Sequence, residues 1–155
     1  MVQCAKLRIL NVYGCCELKA LPSMKNLVSL EELYASGCVK LKTIPELEHC
    51  TKLRVLFVNR LCELEALPIM ETLVFLEEFY AKNCVKLKSI HGLANWEKLR
   101  ILNVNGFFEL EALPSVEGVG IFGEVLHIWM CESQEHWGII GAMGKASNSK
   151  CLWVL

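Results

Sequence analysis

The apolar positions of the chain recur with a period of 23 residues. Residues 7–12 read LRILNV, and close copies begin at positions 53 and 99. A second version, LEELYA, begins at position 30 and returns at position 76 as LEEFYA. The repeats therefore begin at 7, 30, 53, 76 and 99 without insertion or deletion. One unit of this length cannot bury a core alone, so the period predicts a stacked array.

The alternation inside each unit predicts one strand per repeat. The first, fourth and sixth residues are apolar, and the third and fifth stand between them. A period of two is typical of a short strand with one buried face. We expect five parallel strands, at residues 8–13, 31–36, 54–59, 77–82 and 100–105. In four of the five units a proline follows, which predicts an irregular return to the next strand.

The pattern L-x-x-L-x-L-x-x-C-x-x-L, which residues 30–41 match, resembles the leucine-rich repeat. The cysteine, with the leucine–proline pair that follows, is similar to the repeats of plant nucleotide-binding disease-resistance proteins of the TIR type. The resemblance covers residues 1–121. It implies an α/β fold, a leucine-rich-repeat solenoid with a curved parallel sheet on its concave face and irregular or 3-10 return segments.

The resemblance also implies a ladder of side chains that bond to backbone groups in the turns. The ladder position holds Cys15, Cys38 and Cys84 in three of the units. Leu61 and Phe107 occupy it in units three and five, where we expect the ladder to be broken.

Both ends of the chain depart from the pattern. Residues 122–155 form an irregular tail, in which 125–129 is expected to be a capping strand and 138–150 a flexible loop. Residues 1–6 match the last six residues of a unit, which predicts a piece of a longer array. The edge of the first strand then lacks a neighbour, and we expect self-association through this N-terminal edge.

Composition narrows the function classes. Hydrophobic residues make up 54% of the 155 residues, which excludes a disordered chain. The 16 basic residues balance 17 acidic ones, a charge pattern that predicts neither nucleic-acid nor membrane binding. The nine cysteines are odd in number, and neither a signal peptide nor a membrane-spanning stretch is found. We therefore expect a cytoplasmic or nuclear protein with reduced thiols.

The motifs of catalysis and of cofactor binding are incomplete. All 17 acids are Glu, so every site that needs Asp is excluded. The repeated cysteines stand 23 residues apart without the second pair that zinc sites use, and Cys131 with His136 is too sparse. Residues 138–147 have Ile139 where a phosphate loop has its first glycine and Ala146 where it has Ser or Thr. The four histidines are far apart, so we expect no enzyme, no metal and no cofactor.

The third and fifth positions of each unit are predicted to face outwards and to form rows across the sheet. One row holds an aromatic stripe, framed by two glutamates of the other row. The residues expected to bind a protein on the concave face are Asn11, Glu32, Tyr34, Phe57, Glu78, Tyr80 and Asn103. Exposed aromatic side chains with a polar rim are typical of protein-binding sites. The alternative is that they only shield the backbone and pack on one another.

Charges of opposite sign alternate in two further rows. The first row holds Arg8, Glu31, Arg54, Glu77 and Arg100, and the second holds Glu17, Lys40, Glu63, Lys86 and Glu109. Pairs of this kind fix the register of neighbouring units.

These observations favour a protein-recognition module, and the resemblance implies plant immunity as its setting. One alternative is the substrate-recognition part of a ubiquitin ligase, whose cysteine-rich repeats are usually longer. The other is a scaffold or a truncated gene product without a function of its own.

Overall fold

The computed structural model describes residues 5–92 and 95–106, together with the backbone of two strands at 127–131 and 151–154. The described strands form one sheet in chain order. They are β1 (Ile9–Asn11), β2 (Glu32–Tyr34), β3 (Val55–Phe57), β4 (Glu78–Tyr80), β5 (Ile101–Asn103), β6 (His127–Cys131) and β7 (Cys151–Val154).

The first five strands are parallel, and each residue lies beside its equivalent 23 positions later. Leu10 lies beside Leu33, and the same register continues through Leu56 and Phe79 to Leu102. The predicted parallel array is confirmed as a solenoid, with one strand per repeat.

The strands are shorter than predicted and occupy the centre of each expected segment. Hydrogen bonds between neighbouring units continue beyond the strand, since the Val12 amide donates to the Tyr34 carbonyl at 2.8 Å and the Gly14 amide donates to the Ser36 carbonyl at 2.9 Å. The next residues turn away because the eighth position of each unit is left-handed. Its residues and φ angles are Gly14 (72°), Gly37 (79°), Arg60 (58°), Asn83 (60°) and Gly106 (79°).

The core lies between the strands and the return segments. Leu33, Leu56 and Phe79 on the inner strand face are fully buried. Trp96 packs edge-on against Phe79, with ring centroids 5.5 Å apart, and its indole nitrogen donates to the Met70 carbonyl at 3.0 Å. The return segments thus close the core with apolar side chains, and one of them supplies the acceptor for the buried indole of Trp96.

The return segments consist mostly of turns. Amides donate to carbonyls three residues earlier, as from Leu27 to Met24 and from Leu30 to Leu27, both at 2.9 Å. A 3-10 helix is present at Leu47–His49, and Asn95 also has 3-10 conformation. The irregular returns agree with expectation, but the described architecture is a β-solenoid with very little helix, so the expected α/β class is shown only in part.

The C-terminal tail adds two strands to the sheet. β6 pairs in parallel with β5 and overlaps the predicted capping strand. β7 pairs antiparallel to β6 and was not predicted, because the repeat pattern does not extend to it. The predicted loop at 138–150 and the ladder residue Phe107 lie outside the described residues.

The first unit is less buried than its successors. Leu7, Leu10, Val12 and Leu18 pack against the core but stay partly exposed. Self-association through this edge stays a prediction.

Candidate protein-binding face

The side chains at the third and fifth positions of the repeats line the outer surface of the sheet. We call this surface the exposed sheet face. It comprises Ile9, Asn11, Glu32, Tyr34, Val55, Phe57, Glu78, Tyr80, Ile101 and Asn103. In β2 to β5 these residues alternate with buried ones, since each strand turns every second side chain to the opposite side. All seven residues predicted to bind a protein lie on this face.

Three aromatic rings of β2, β3 and β4 stack on one another across the face. The centroids of Tyr34 and Phe57 are 5.3 Å apart, with 25° between the ring planes. The centroids of Phe57 and Tyr80 are 4.0 Å apart, with 14° between the planes. Parallel strands are spaced about 4.8 Å apart, so a parallel in-register sheet brings the rings into this stack.

Each tyrosine of the stack is hydrogen-bonded to the glutamate two residues before it. The Tyr34 hydroxyl donates to Glu32 at 2.8 Å, and the Tyr80 hydroxyl donates to Glu78 at 3.2 Å. The hydrogen bond to Glu32 and partial burial raise the pKa of Tyr34. Burial, with the charge of Glu78, raises the pKa of Tyr80 to about 12. These bonds hold both carboxylates beside the stack and were not anticipated, although residues two apart on a strand share a face.

Asparagines flank the aromatic stack on both sides. Asn11 is exposed, and its side-chain oxygen accepts the Tyr13 amide at 2.9 Å. The side-chain oxygen of Asn103 is buried and has no hydrogen-bond partner among the described residues. Tyr13 is 72% exposed and lies at the seventh position of its unit, beyond the third and fifth positions that the repeat assigns to this face.

The predicted rows of opposite charge form ion pairs between neighbouring units. The shortest nitrogen–oxygen distances are between 2.7 and 2.9 Å. The pairs are Arg8 with Glu31, Arg54 with Glu77, Glu17 with Lys40, and Glu63 with Lys86. Both rows lie outside the exposed sheet face, and Glu109 lies outside the described residues.

Two of the three ladder cysteines make the backbone contact that the ladder role requires. The Cys38 thiol donates to the Val12 carbonyl at 3.0 Å, and the Cys84 thiol donates to the Val58 carbonyl at 2.9 Å. Both thiols are buried, and burial raises the pKa of Cys84 to about 12. Cys15 is exposed, and Leu61, which cannot donate, is fully buried at the same position.

Within residues 5–92 and 95–106, no three histidine, cysteine or glutamate side chains are grouped as a metal site requires. His49 and His91 are exposed in the return segments, whereas the other two histidine side chains are outside the described part of the chain. No helix in the described part of the chain has the length and apolarity that crossing a bilayer demands.

Comparison of the chain with protein-family models, with curated proteins and with solved structures finds no match. The resemblance to leucine-rich repeats therefore depends on the residues of this chain alone.

Proposed function

We propose that this chain is a recognition module that binds a protein partner through the exposed sheet face. The observation that carries the proposal is the stack of Tyr34, Phe57 and Tyr80 on the outer side of the sheet. Tyrosine supplies large contact area with a polar tip, which is why it is enriched at interfaces. The stacked repeats of a solenoid present such side chains side by side on one extended surface.

The sheet does not need the stack for its core. Leu33, Leu56 and Phe79 fill the inner side of the same strands and are fully buried, whereas the stacked rings are partly exposed. Stacked aromatic pairs contribute about 0.5–1.5 kcal/mol beyond the area that they bury. The stack therefore contributes little to the stability of the fold, and its partly exposed rings are available to contact a partner.

The finer assignment, also a proposal, is to the leucine-rich repeats of plant nucleotide-binding disease-resistance proteins. It is supported by the 23-residue period, by the leucine–proline pair and by the buried thiols that bond to the preceding unit. The corresponding role is recognition in the defence response.

The proposal is tested by removing the two tyrosines together. Tyr34→Ala with Tyr80→Ala should change the free energy of unfolding by no more than about 1–2 kcal/mol, since both side chains face outwards. Ile69→Ala with Phe75→Ala is the matched control, because these side chains are 62% and 44% exposed outside the exposed sheet face.

The readout is the set of proteins retained by each immobilised form, quantified by mass spectrometry. We expect a partner that the wild type and the control retain and the tyrosine variant loses. Equal retention by all three forms would contradict the proposal. Unfolding of the tyrosine variant would show that the strand phase is wrong by one residue.

A further inference from the structure

The two carboxylates beside the aromatic stack retain open acceptor positions. A carboxylate has about four lone-pair sites. Glu32 and Glu78 each accept one tyrosine hydroxyl, and the salt bridges of Arg8, Lys25, Lys40, Arg54 and Lys86 go to other glutamates. The exposed sheet face thus carries two carboxylates with acceptor positions beyond those that the tyrosines use.

The nearest row of cations is already engaged. Arg8 holds Glu31 through two nitrogen–oxygen contacts of 2.9 and 2.7 Å. Arg54 holds Glu77 in the same way, at 2.9 and 3.0 Å. A bidentate pair of this kind directs one edge of the planar guanidinium group to its carboxylate. Both guanidinium groups are therefore hydrogen-bonded to glutamates outside the exposed sheet face and act on Glu32 only through their charge.

The two ends of the stack are equivalent sites. At one end, Tyr34 stands beside Glu32, and at the other, 46 residues later, Tyr80 stands beside Glu78. Val55 occupies the position between the two glutamates. Two strand spacings separate the carboxylates by about 10 Å. Side chains on one side of an extended peptide are about 7 Å apart at a two-residue spacing and about 13 Å apart at a four-residue spacing, and the long arginine side chain covers the difference of about 3 Å.

The chemistry of each end selects one kind of side chain. A guanidinium group is planar, stacks on an aromatic ring and donates two parallel hydrogen bonds to a carboxylate. A lysine ammonium supplies the charge but neither the planar stacking nor the paired donors. We propose that the exposed sheet face binds an extended, arginine-bearing segment of a partner protein, with one guanidinium at Glu32 and Tyr34 and another at Glu78 and Tyr80. This inference rests on the proposed function.

The test selects peptides from a random 12-residue display library on the immobilised full chain. The affinity of the enriched peptides is then measured by fluorescence anisotropy. We expect at least two arginines in each peptide, and a loss of affinity of tenfold or more when both are replaced by lysine.

Charge-neutral variants locate the contact. Glu32→Gln with Glu78→Gln keeps an oxygen for each tyrosine hydroxyl and should weaken the arginine peptides tenfold or more. Glu65→Gln with Glu71→Gln removes the same charge from exposed positions outside this face and should change affinity less than twofold. Circular dichroism of each variant verifies its fold.

The failures of the two proposals are distinguishable. Peptides that lose affinity for the Tyr34→Ala, Tyr80→Ala variant, yet lack arginine or tolerate Glu32→Gln with Glu78→Gln, would overturn this inference and leave the proposed function standing. Equal loss of affinity with both glutamine variants would show non-specific attraction and also overturn it. If no enriched peptide depends on the two tyrosines, the proposed function fails and this inference with it.

Discussion

Replacing Arg60 by glycine should stabilise the protein, although it removes a whole side chain. Arg60 holds the left-handed eighth position of its unit at φ 58°, where three of the other described units have glycine. A residue with a Cβ atom pays about 1–2 kcal/mol in this region. The greater freedom of glycine in the unfolded chain costs about 0.5–1 kcal/mol. We therefore expect Arg60→Gly to raise the free energy of unfolding by about 0.5–1 kcal/mol.

The same position provides a substitution of opposite sign. In Gly37→Ala the new carbon would lie 3.5 Å from the Gly14 Cα atom, an ordinary contact, so that only the backbone conformation at φ 79° opposes it. The net loss should be about 0.5–1 kcal/mol. Arg60→Ala is the control for the lost charge, because it keeps a Cβ atom and should leave stability unchanged.

Urea unfolding followed by circular dichroism measures all three variants. With an m-value of about 2 kcal/mol per molar urea, the midpoints should move by about 0.3–0.5 M, upwards for Arg60→Gly and downwards for Gly37→Ala. Shifts of the same sign in these two variants would refute the requirement for a left-handed residue at this position.

Three further results are expected. At pH 8, iodoacetamide should label the exposed Cys16 of the native protein but not Cys84, because burial raises the pKa of Cys84 to about 12. The labelling rates are measured by peptide mass spectrometry, and equal rates at the two thiols would contradict the burial of Cys84. Gly92→Ala should lower the free energy of unfolding in urea by about 2–3 kcal/mol, since the added Cβ atom would lie 2.9 Å from backbone atoms of Met70 and Glu71 and the backbone has φ 99°. An unchanged urea midpoint would exclude this close backbone contact. The hydrogen bond from Arg54 lowers the pKa of Glu77, so the pair stabilises the fold above about pH 4.3 and this contribution is lost as the pH falls through the lower folded pKa. Glu77→Gln should therefore cost up to about 1 kcal/mol at pH 7 and less at pH 3, and an equal cost at both pH values would argue against the ion pair.

The sequence predicts the strands and their register because the repeat is unbroken. Once position 7 is equivalent to position 30, in-register stacking places Leu10 beside Leu33 and Tyr34 beside Phe57, as the sheet shows. The alternating charges predict the ion pairs by the same reasoning, as for Arg8 with Glu31.

Features that the repeat does not encode were missed. The sequence does not reveal that the eighth position is left-handed, because Arg60 and Asn83 replace the glycine of the other units. The direction of the thiol hydrogen bonds depends on three-dimensional stacking, which brings Cys84 to the Val58 carbonyl 26 residues earlier. β7 lies where no repeat pattern guides prediction. On the exposed sheet face, the residues follow from the register, but the bond from Tyr34 to Glu32 depends on side-chain conformation.

The central claim is that in-register units place Tyr34, Phe57 and Tyr80 in one row on the outer side of the sheet. Nuclear Overhauser contacts between aromatic ring protons test it most directly, because the rings of the stack lie 4.0 and 5.3 Å apart by their centroids. The expected spectrum connects Phe57 to both tyrosines and leaves it without contacts to the buried side chain of Leu56. Contacts from the Phe57 ring to core side chains, with none to either tyrosine, would contradict the register and the face that depends on it.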